Sequence, residues 1–287
     1  MRLFTIPEWV QKHTQFAGKG STISANELQS LKANLQQFSV SDPEVSIVIP
    51  AYNEEENILQ TLSSLACLKT SYRTELIVAN NNSADRTQEL LDLCGVQSVF
   101  VADQGISYAR QAGLDKARGT YIVSADADSL YPPDWLDALV TPLKQPNIAC
   151  SYGTYSFIPS DNKARFPLGL HELTSETFKK IKRKNREFVD VMGFNFAYRK
   201  ADGLAVGGFR HDLDRKATGR SEDGWMAYCL SQKGALHRVS SSNARAWTGD
   251  RRLMESGSLG KAYLFRVKKE MKRLNLYFTR KGVVKPL

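Results

Sequence analysis

Two aspartates one residue apart, Asp126 and Asp128, close the run Tyr121-Ile122-Val123-Ser124-Ala125-Asp126-Ala127-Asp128. Side chains of an extended segment alternate faces, so both carboxylates point the same way with small Ala127 between them. Like charges held that close repel unless a cation joins them. Hard oxygen ligands suit Mg²⁺ or Mn²⁺, which take one or two carboxylates and complete their shell with water and phosphate oxygens. A solvated turn is the plainer reading, since Asp favours turns. Placement at the end of an apolar strand argues for the metal. At a strand end, outside the core, either aspartate is expected to be removable without unfolding the chain. His13, His171, His211 and His237 have no metal-ligand spacing.

The elements that must carry these carboxylates are legible from pattern. Residues 45–50 form a β-branched apolar run, the mark of a strand buried on both faces. Further strands are expected at 75–79, 96–101 and 120–124. A helix follows each of the first three: one with Asn53 and Glu56 at N-cap and N3 spacing and a stripe of Ile58, Leu62 and Leu65, one near 85–94, and one over 105–117. Strands alternating with helices through short loops imply a parallel sheet with right-handed crossovers. Ligands of such sheets bind beyond the carboxyl ends of the strands. The loops at 50–54, 80–85 and 102–107 lie at those ends, together with Asp126 and Asp128. After Pro132-Pro133 the pattern predicts a helix to about 144, a half-exposed strand over 149–157, a helix over 170–186, a strand over 189–198 and a helix opened by Glu222-Asp223. Near the N-terminus, Ser24 and Glu27 have capping-box spacing before Leu28, Leu31, Leu35 and Phe38, so a helix is expected over about 25–38.

The 287 residues suffice for one large α/β domain with appendages. No apolar run approaches the ~20 residues of a membrane-spanning helix, and the N-terminus shows no apolar signal-peptide core. Cys67, Cys94, Cys150 and Cys229 stand far apart, as thiols in a reducing compartment do. Net charge is +9, yet residues 261–287 hold nine Lys/Arg against one Glu. The rest of the chain is nearly neutral, which argues against nucleic acid as a partner of the main domain.

Four stretches in order carry a resemblance. VSIVIPAYNEEEN (45–57), LIVANNNSADRT (76–87), GISYARQAGLDKARGTYIVSADAD (105–128), and Gly207-Gly208-Phe209 followed by Glu222-Asp223 resemble the motifs of inverting family-2 glycosyltransferases over about residues 45–250. The resemblance implies a GT-A fold of the nucleotide-diphospho-sugar transferase superfamily. That is an α/β fold, a Rossmann-like and mostly parallel central sheet flanked by helices, in a single catalytic domain with helical N- and C-terminal appendages. The expected division is an appendage at 1–42, a catalytic domain at 43–250 (nucleotide-sugar half 43–130, acceptor half 131–250) and a basic segment at 251–287.

It also implies the chemistry. A sugar moves from a nucleotide-diphosphate sugar, expected to be a UDP-sugar, to an acceptor hydroxyl with inversion, in bacterial-type surface polysaccharide or glycolipid synthesis. Mn²⁺ or Mg²⁺ on Asp126 and Asp128 neutralises the leaving diphosphate. Asp223 is the expected base and Glu222 the second choice; both acids would equally suit the start of a helix. Pro50, Ala51, Tyr52 and Glu54 resemble residues framing the nucleoside, though Tyr52 is equally a packing aromatic. Asn80 stands where the family usually has an Asp that contacts the base; its carbonyl still accepts an N–H from uracil, while its amide also donates. Ala127 lies within the metal motif. Arg110 resembles an arginine near the donor pocket, with a solvated surface position as the alternative. Arg251 and Arg252, after Trp247, either fold over the diphosphate or are solvated.

Two rival functions fit the residues less well. A sugar-phosphate nucleotidylyltransferase wants a Gly-rich loop after the first strand, and Pro50-Ala51-Tyr52-Asn53-Glu54 has no glycine. A non-catalytic nucleotide-sugar-binding scaffold has no need of Asp126, Asp128 and Asp223 together. The acceptor is a saccharide or lipid-linked saccharide. The basic run Lys179, Lys180, Lys182, Arg183, Lys184 and Arg186 suits a phosphorylated acceptor or a solvated helix face. On a helix over 261–280, Leu264, Val267, Met271, Leu274 and Phe278 form one stripe amid Lys and Arg. That helix either lies on an anionic membrane surface or docks on the domain. A cytoplasmic enzyme, peripheral on the inner face of the membrane, is the expected setting.

Overall fold

A computed structural model describes residues 4–160, 165–212, 221–254 and 259–272. Strands β1 (Val45–Ala51), β2 (Thr74–Asn80), β3 (Gln97–Phe100) and β4 (Tyr121–Ser124) run parallel in the order β3-β2-β1-β4. Every residue of β1 and β2 is buried, as their unbroken apolar runs require. Two short strands follow, β5 (Ser129–Leu130) and β6 (Ile148–Tyr152), then β7 (Thr154–Ile158), β8 (Phe196–Arg199), β9 (Ala235–Arg238) and β10 (Arg245–Gly249). The large sheet continues past β4 through β8, β6 and β9, with β8 antiparallel to both of its neighbours. A second sheet has the order β5-β10-β7.

The strand expected over 149–157 is therefore two strands in two sheets. Gly153 is the break. A Cβ there would lie 2.0 Å from the Ala244 carbonyl oxygen and 2.5 Å from Asn195 Nδ2, so only glycine lets the chain turn from one sheet to the other. The strand expected over 189–198 shrinks to β8, because residues 187–190 form a 3₁₀ turn. Asp190 is held in that turn by ion pairs to Arg183 and Lys179.

Helices α1 (Glu8–Thr14), α2 (Ala25–Leu35), α3 (Ile58–Leu65), α4 (Thr87–Cys94), α5 (Ile106–Lys116) and α6 (Trp135–Val140) precede the long α7 (Arg165–Arg186). After these come α8 (Lys200–Ala205), α9 (Glu222–Leu230), α10 (Arg251–Met254) and α11 (Leu259–Lys272). The Ser24–Glu27 capping box forms as its spacing predicts. Leu31, Leu35 and Phe38 join Ile47, Leu62 and Trp135 in the main core, so the N-terminal segment is built into the catalytic unit. α1 was not legible in the sequence. It docks through buried His13, whose Nδ1 lies 2.7 Å from Ser63 Oγ. Burial, aided by the charge of Lys12, pushes that imidazole's pKa down to about 4.

The site is set by where strands stop pairing. β1 and β4 pair only as far as Val48 and Ser124. Beyond that point β4 peels away and carries Asp126 and Asp128 out of the sheet. Pro50, which has no N–H to offer a neighbour, lies past the last β1–β4 pair.

Candidate active site

Arg110 is the centre of the site. Its alternative reading as a solvated surface residue fails, for it is 1% exposed. α5 packs on β1 and β2 and aims the guanidinium at the end of β4. One Nη donates to Ser124 Oγ and to the Gly193 carbonyl, both at 2.7 Å. The other donates to Asp126 Oδ1 at 2.8 Å. Nε lies 3.4 Å from Glu222 Oε1. Burial opposes the charge, but Asp126, Glu222 and Asp223 outweigh it and hold the pKa above its ordinary value.

Asp223 is joined to the same cluster through Gly193. The Gly193 N–H donates to Asp223 Oδ2 at 2.7 Å and the Gly224 N–H to Oδ1 at 2.6 Å. Ser221 caps α9, so both acids fall in its first turn. A Cβ on Gly193 would sit 2.5 Å from Arg110 Nη2 and 3.0 Å from Asp223 Oδ2. A side chain there would push the arginine and the expected base out of these contacts. Nothing in the sequence pointed to Gly193, because its role depends on three segments meeting.

The two aspartates of the motif therefore differ. Asp126 faces inward to Arg110, and its backbone N–H donates to the Tyr131 hydroxyl. Removing Asp126 takes one carboxylate from a buried cation that keeps Glu222, Ser124 and Gly193, so Asp126→Ala is expected to cost more stability than Asp128→Ala. Asp128 is half-buried like Asp126 but meets hydroxyl groups instead. Ser129 Oγ lies 3.3 Å and Thr248 Oγ1 3.5 Å from its Oδ1, the latter because β10 pairs with β5. Thr248 was not singled out from the sequence. Ala127 is buried, and its carbonyl accepts from Thr61 Oγ1 at 2.8 Å.

Arg251, at the start of α10, reaches back over the site. Its Nη2 is 3.4 Å from Glu54 Oε1 and 4.0 Å from Asp128 Oδ2. The Arg252 side chain lies outside the described residues, as do Leu274, Phe278 and the rest of the chain beyond Lys272. Glu54 is mostly buried. Burial raises its pKa and Asp128 adds to the rise, while Asn57 and Arg251 oppose it. A raised folded-state pKa means that ionising Glu54 costs stability as pH rises through the ordinary carboxylate range toward the raised value. Glu54→Gln is accordingly expected to melt above wild type at pH 8, by ~2–4 °C for each kcal/mol relieved. The two melting curves should converge below pH 4. A variant melting below wild type at pH 8 would show that the exposed Arg251 contact outweighs burial.

The remaining residues expected on the donor side sit on two loops tied together. Asn53 N–H donates to Ser83 Oγ at 3.0 Å, and Asn53 Oδ1 accepts from Ala84 N–H at 2.8 Å. Asn53 adopts a left-handed backbone, φ 52°, which Asn tolerates well. Pro50 and Ala51 are buried beneath; Tyr52 is 49% exposed, a ring face open to a ligand. Asn80 is buried and committed to the turn: Oδ1 accepts from Ser83 N–H at 3.0 Å and Nδ2 donates to Gln88 at 2.8 Å.

Oxygen donors alone surround Asp128, and a tethered cation, Arg251, already lies against it and Glu54. That donor set fits Mg²⁺ or Mn²⁺. Among the described residues no three His, Cys, Asp or Glu side chains converge on one point, so such an ion would draw its other ligands from phosphate and water.

The family model described as glycosyl transferase family 2 matches residues 46–202. An undecaprenyl-phosphate 4-deoxy-4-formamido-L-arabinose transferase of Pseudomonas fluorescens is 31% identical over 105 residues, 33% of this chain and 31% of that protein. The chain spans between a quarter and about half the length of the curated relatives it matches. Among solved structures, a mannosyltransferase from Pyrobaculum calidifontis in complex with GDP-Man and Mn²⁺ is similar with TM-score 0.55, at 16% identity over 91% of this chain and 76% of that one. Glucosyl-3-phosphoglycerate synthase from Mycobacterium tuberculosis, in complex with Mn²⁺ and UDP-glucose, gives 0.52 at 18% identity over 85% and 82%. Those two likenesses are of fold, the GT-A arrangement with its large central sheet.

Proposed function

Since this chain belongs to glycosyl transferase family 2, we propose that it moves a sugar from a nucleotide-diphosphate sugar, a UDP-sugar, to an acceptor hydroxyl with inversion. One observation carries the reading: Arg110 and Gly193 bind Asp126, at the end of β4, and Asp223, at the start of α9, into a single cluster. We read Asp126 as the donor-side and Asp223 as the acceptor-side carboxylate of that cluster. An Mn²⁺ or Mg²⁺ ion held by Asp128, with Asp126 beside it, would supply charge neutralisation to the leaving diphosphate. Arg251 turns from Glu54 and Asp128 to the phosphate oxygens, a bidentate match for a guanidinium. Tyr52 stacks on the base. Asp223, its carboxylate oriented by two backbone N–H groups, takes the proton of the acceptor hydroxyl.

The acceptor in this proposal is a saccharide or lipid-linked saccharide used at the cytoplasmic side of a membrane, in surface polysaccharide or glycolipid synthesis. The undecaprenyl-phosphate sugar transferase among the relatives supports it. No described helix is long and apolar enough to cross a membrane.

A thermal-shift panel of nucleoside diphosphates and their sugars, with and without Mn²⁺, tests the reading. A donor at a hundred times its dissociation constant adds ~2.7 kcal/mol to stability. Uridine nucleotides are expected to give the largest metal-dependent shift, and Asp128→Ala is expected to lose it while melting near wild type without ligand. Slow hydrolysis releasing nucleoside diphosphate, and not pyrophosphate, marks a transferase. An Asp128→Ala protein with an undiminished Mn²⁺-dependent shift would remove the metal from Asp128.

A further inference from the structure

The basic run in α7 is divided by burial. Lys179 pairs with Asp190, Arg183 with Asp190 and Glu176, and Lys182 with Glu270 of α11. These cations hold the helix in place. Lys180 and Lys184 are exposed, and they share a face with four other exposed residues, Phe166, Leu170, Leu173 and Thr177. The spacing of four, three, four, three and four keeps all six on one stripe. The stripe is apolar in its first half, with Phe166 61%, Leu170 50% and Leu173 46% exposed, and cationic in its second. Phe4 stacks on Phe166 at 5.0 Å and widens the apolar end.

α11 lies alongside. It docks through Tyr263, Val267 and Glu270, with the Tyr263 ring 6.4 Å from His171 and Glu270 2.6 Å from Lys182. The buried Lys182–Glu270 pair sets the rotation of the helix. The expected stripe is split: Val267 is partly buried, while Leu264 and Met271 face outward, more than half exposed, with Phe265, Lys261 and Lys268. Each of the two helices thus presents apolar and cationic side chains to solvent, α7 on the face turned away from His171 and Lys182, where α11 docks.

We propose that the outer face of α7 forms a docking surface for an anionic phospholipid membrane. Aliphatic and aromatic side chains enter the acyl boundary while lysines meet the headgroups, the combination that an interfacial helix uses. Charge selects this occupant, because exposed lysines among the apolar residues disfavour a second, equally cationic copy of the chain. The surface is joined to the active site. Arg165, first residue of α7, lies over the Trp247 ring at 5.2 Å, and the next residue of β10, Thr248, adjoins Asp128. On the glycosyl-transfer reading, this brings the site to the headgroup level, where a lipid-linked acceptor hydroxyl resides.

Co-sedimentation of the full chain with vesicles is the test. Wild type is expected to bind phosphatidylglycerol–phosphatidylcholine vesicles, to bind phosphatidylcholine alone weakly, and to be released by salt. Leu170→Ser/Leu173→Ser and Lys180→Glu/Lys184→Glu are each expected to lower partitioning by about tenfold or more, with circular dichroism and the metal-dependent nucleotide shift unchanged. Removing residues 273–287 should leave most of the binding. The proposal is overturned if wild type ignores anionic vesicles at low salt, or if the Leu170/Leu173 variant binds as wild type does. It is also overturned if binding resides wholly in residues 273–287, or if the same substitutions abolish a dimer in sedimentation. The nucleotide shift is read without lipid, so these outcomes leave the transferase reading standing, and its failure would leave the membrane result intact.

Discussion

Arg110→Met is expected to lower stability by about 3–5 kcal/mol, the usual cost of breaking a buried charge cluster from one side. In melting temperature that is on the order of 10 °C for a chain of this size. Methionine fills the space but returns nothing to Asp126, Glu222, Ser124 Oγ or the Gly193 carbonyl, all of which receive or face the guanidinium. Arg110→Lys is expected to rescue little. One ammonium keeps the charge, but it cannot span acceptors arranged around a planar fork. The decisive measurement is the melting temperature of both variants beside Arg110→Met/Asp126→Asn/Glu222→Gln, which removes the stranded carboxylates. Partial recovery in the triple variant is expected. An Arg110→Met protein melting with wild type would mean that the cluster carries no net stability.

Asp223→Asn is expected to reduce turnover by roughly 10²–10⁴-fold, the range for a positioned general base, with the donor-induced thermal shift retained. The carboxylate accepts from two backbone N–H groups. An amide can satisfy only one of them, so a small stability loss of about 1 kcal/mol accompanies the kinetic one. Glu222→Gln provides the contrast. Glu222 is an ion-pair partner of Arg110 at 3.4 Å, so its loss should move melting temperature more than turnover. If turnover collapses in Glu222→Gln and survives in Asp223→Asn, the base is Glu222.

Local signals in the sequence were sufficient for β1, β2, β4 and the Ser24 cap, because burial on both faces and capping chemistry are written in consecutive residues. The pairing of Asp126 with Asp128 was legible for the same reason. Their different contacts were not. They follow from Arg110 sixteen residues earlier and from Gly193, Glu222 and Asp223 far later, which only the fold brings together. The alternation over 149–157 hid a change of sheet, since period-two patterning reports a strand and says nothing of its neighbours. Likewise the Lys/Arg run of α7 looked uniform, although three of its members are ion-paired within the structure and two face outward.

Gly193 and Arg110 also bear on how the chain assembles. The guanidinium is buried by α5 and β4, both complete by residue 124, yet two of its partners arrive only with Gly193 and Glu222. A nascent or truncated chain ending near 130 would have to desolvate that cation with Asp126 and Ser124 alone, and would leave the free edge of β4 that β8 later covers. The first 130 residues therefore cannot complete the Arg110 cluster by themselves. Its last partners come from the final third of the polypeptide, so synthesis order bears on when that cation is fully paired.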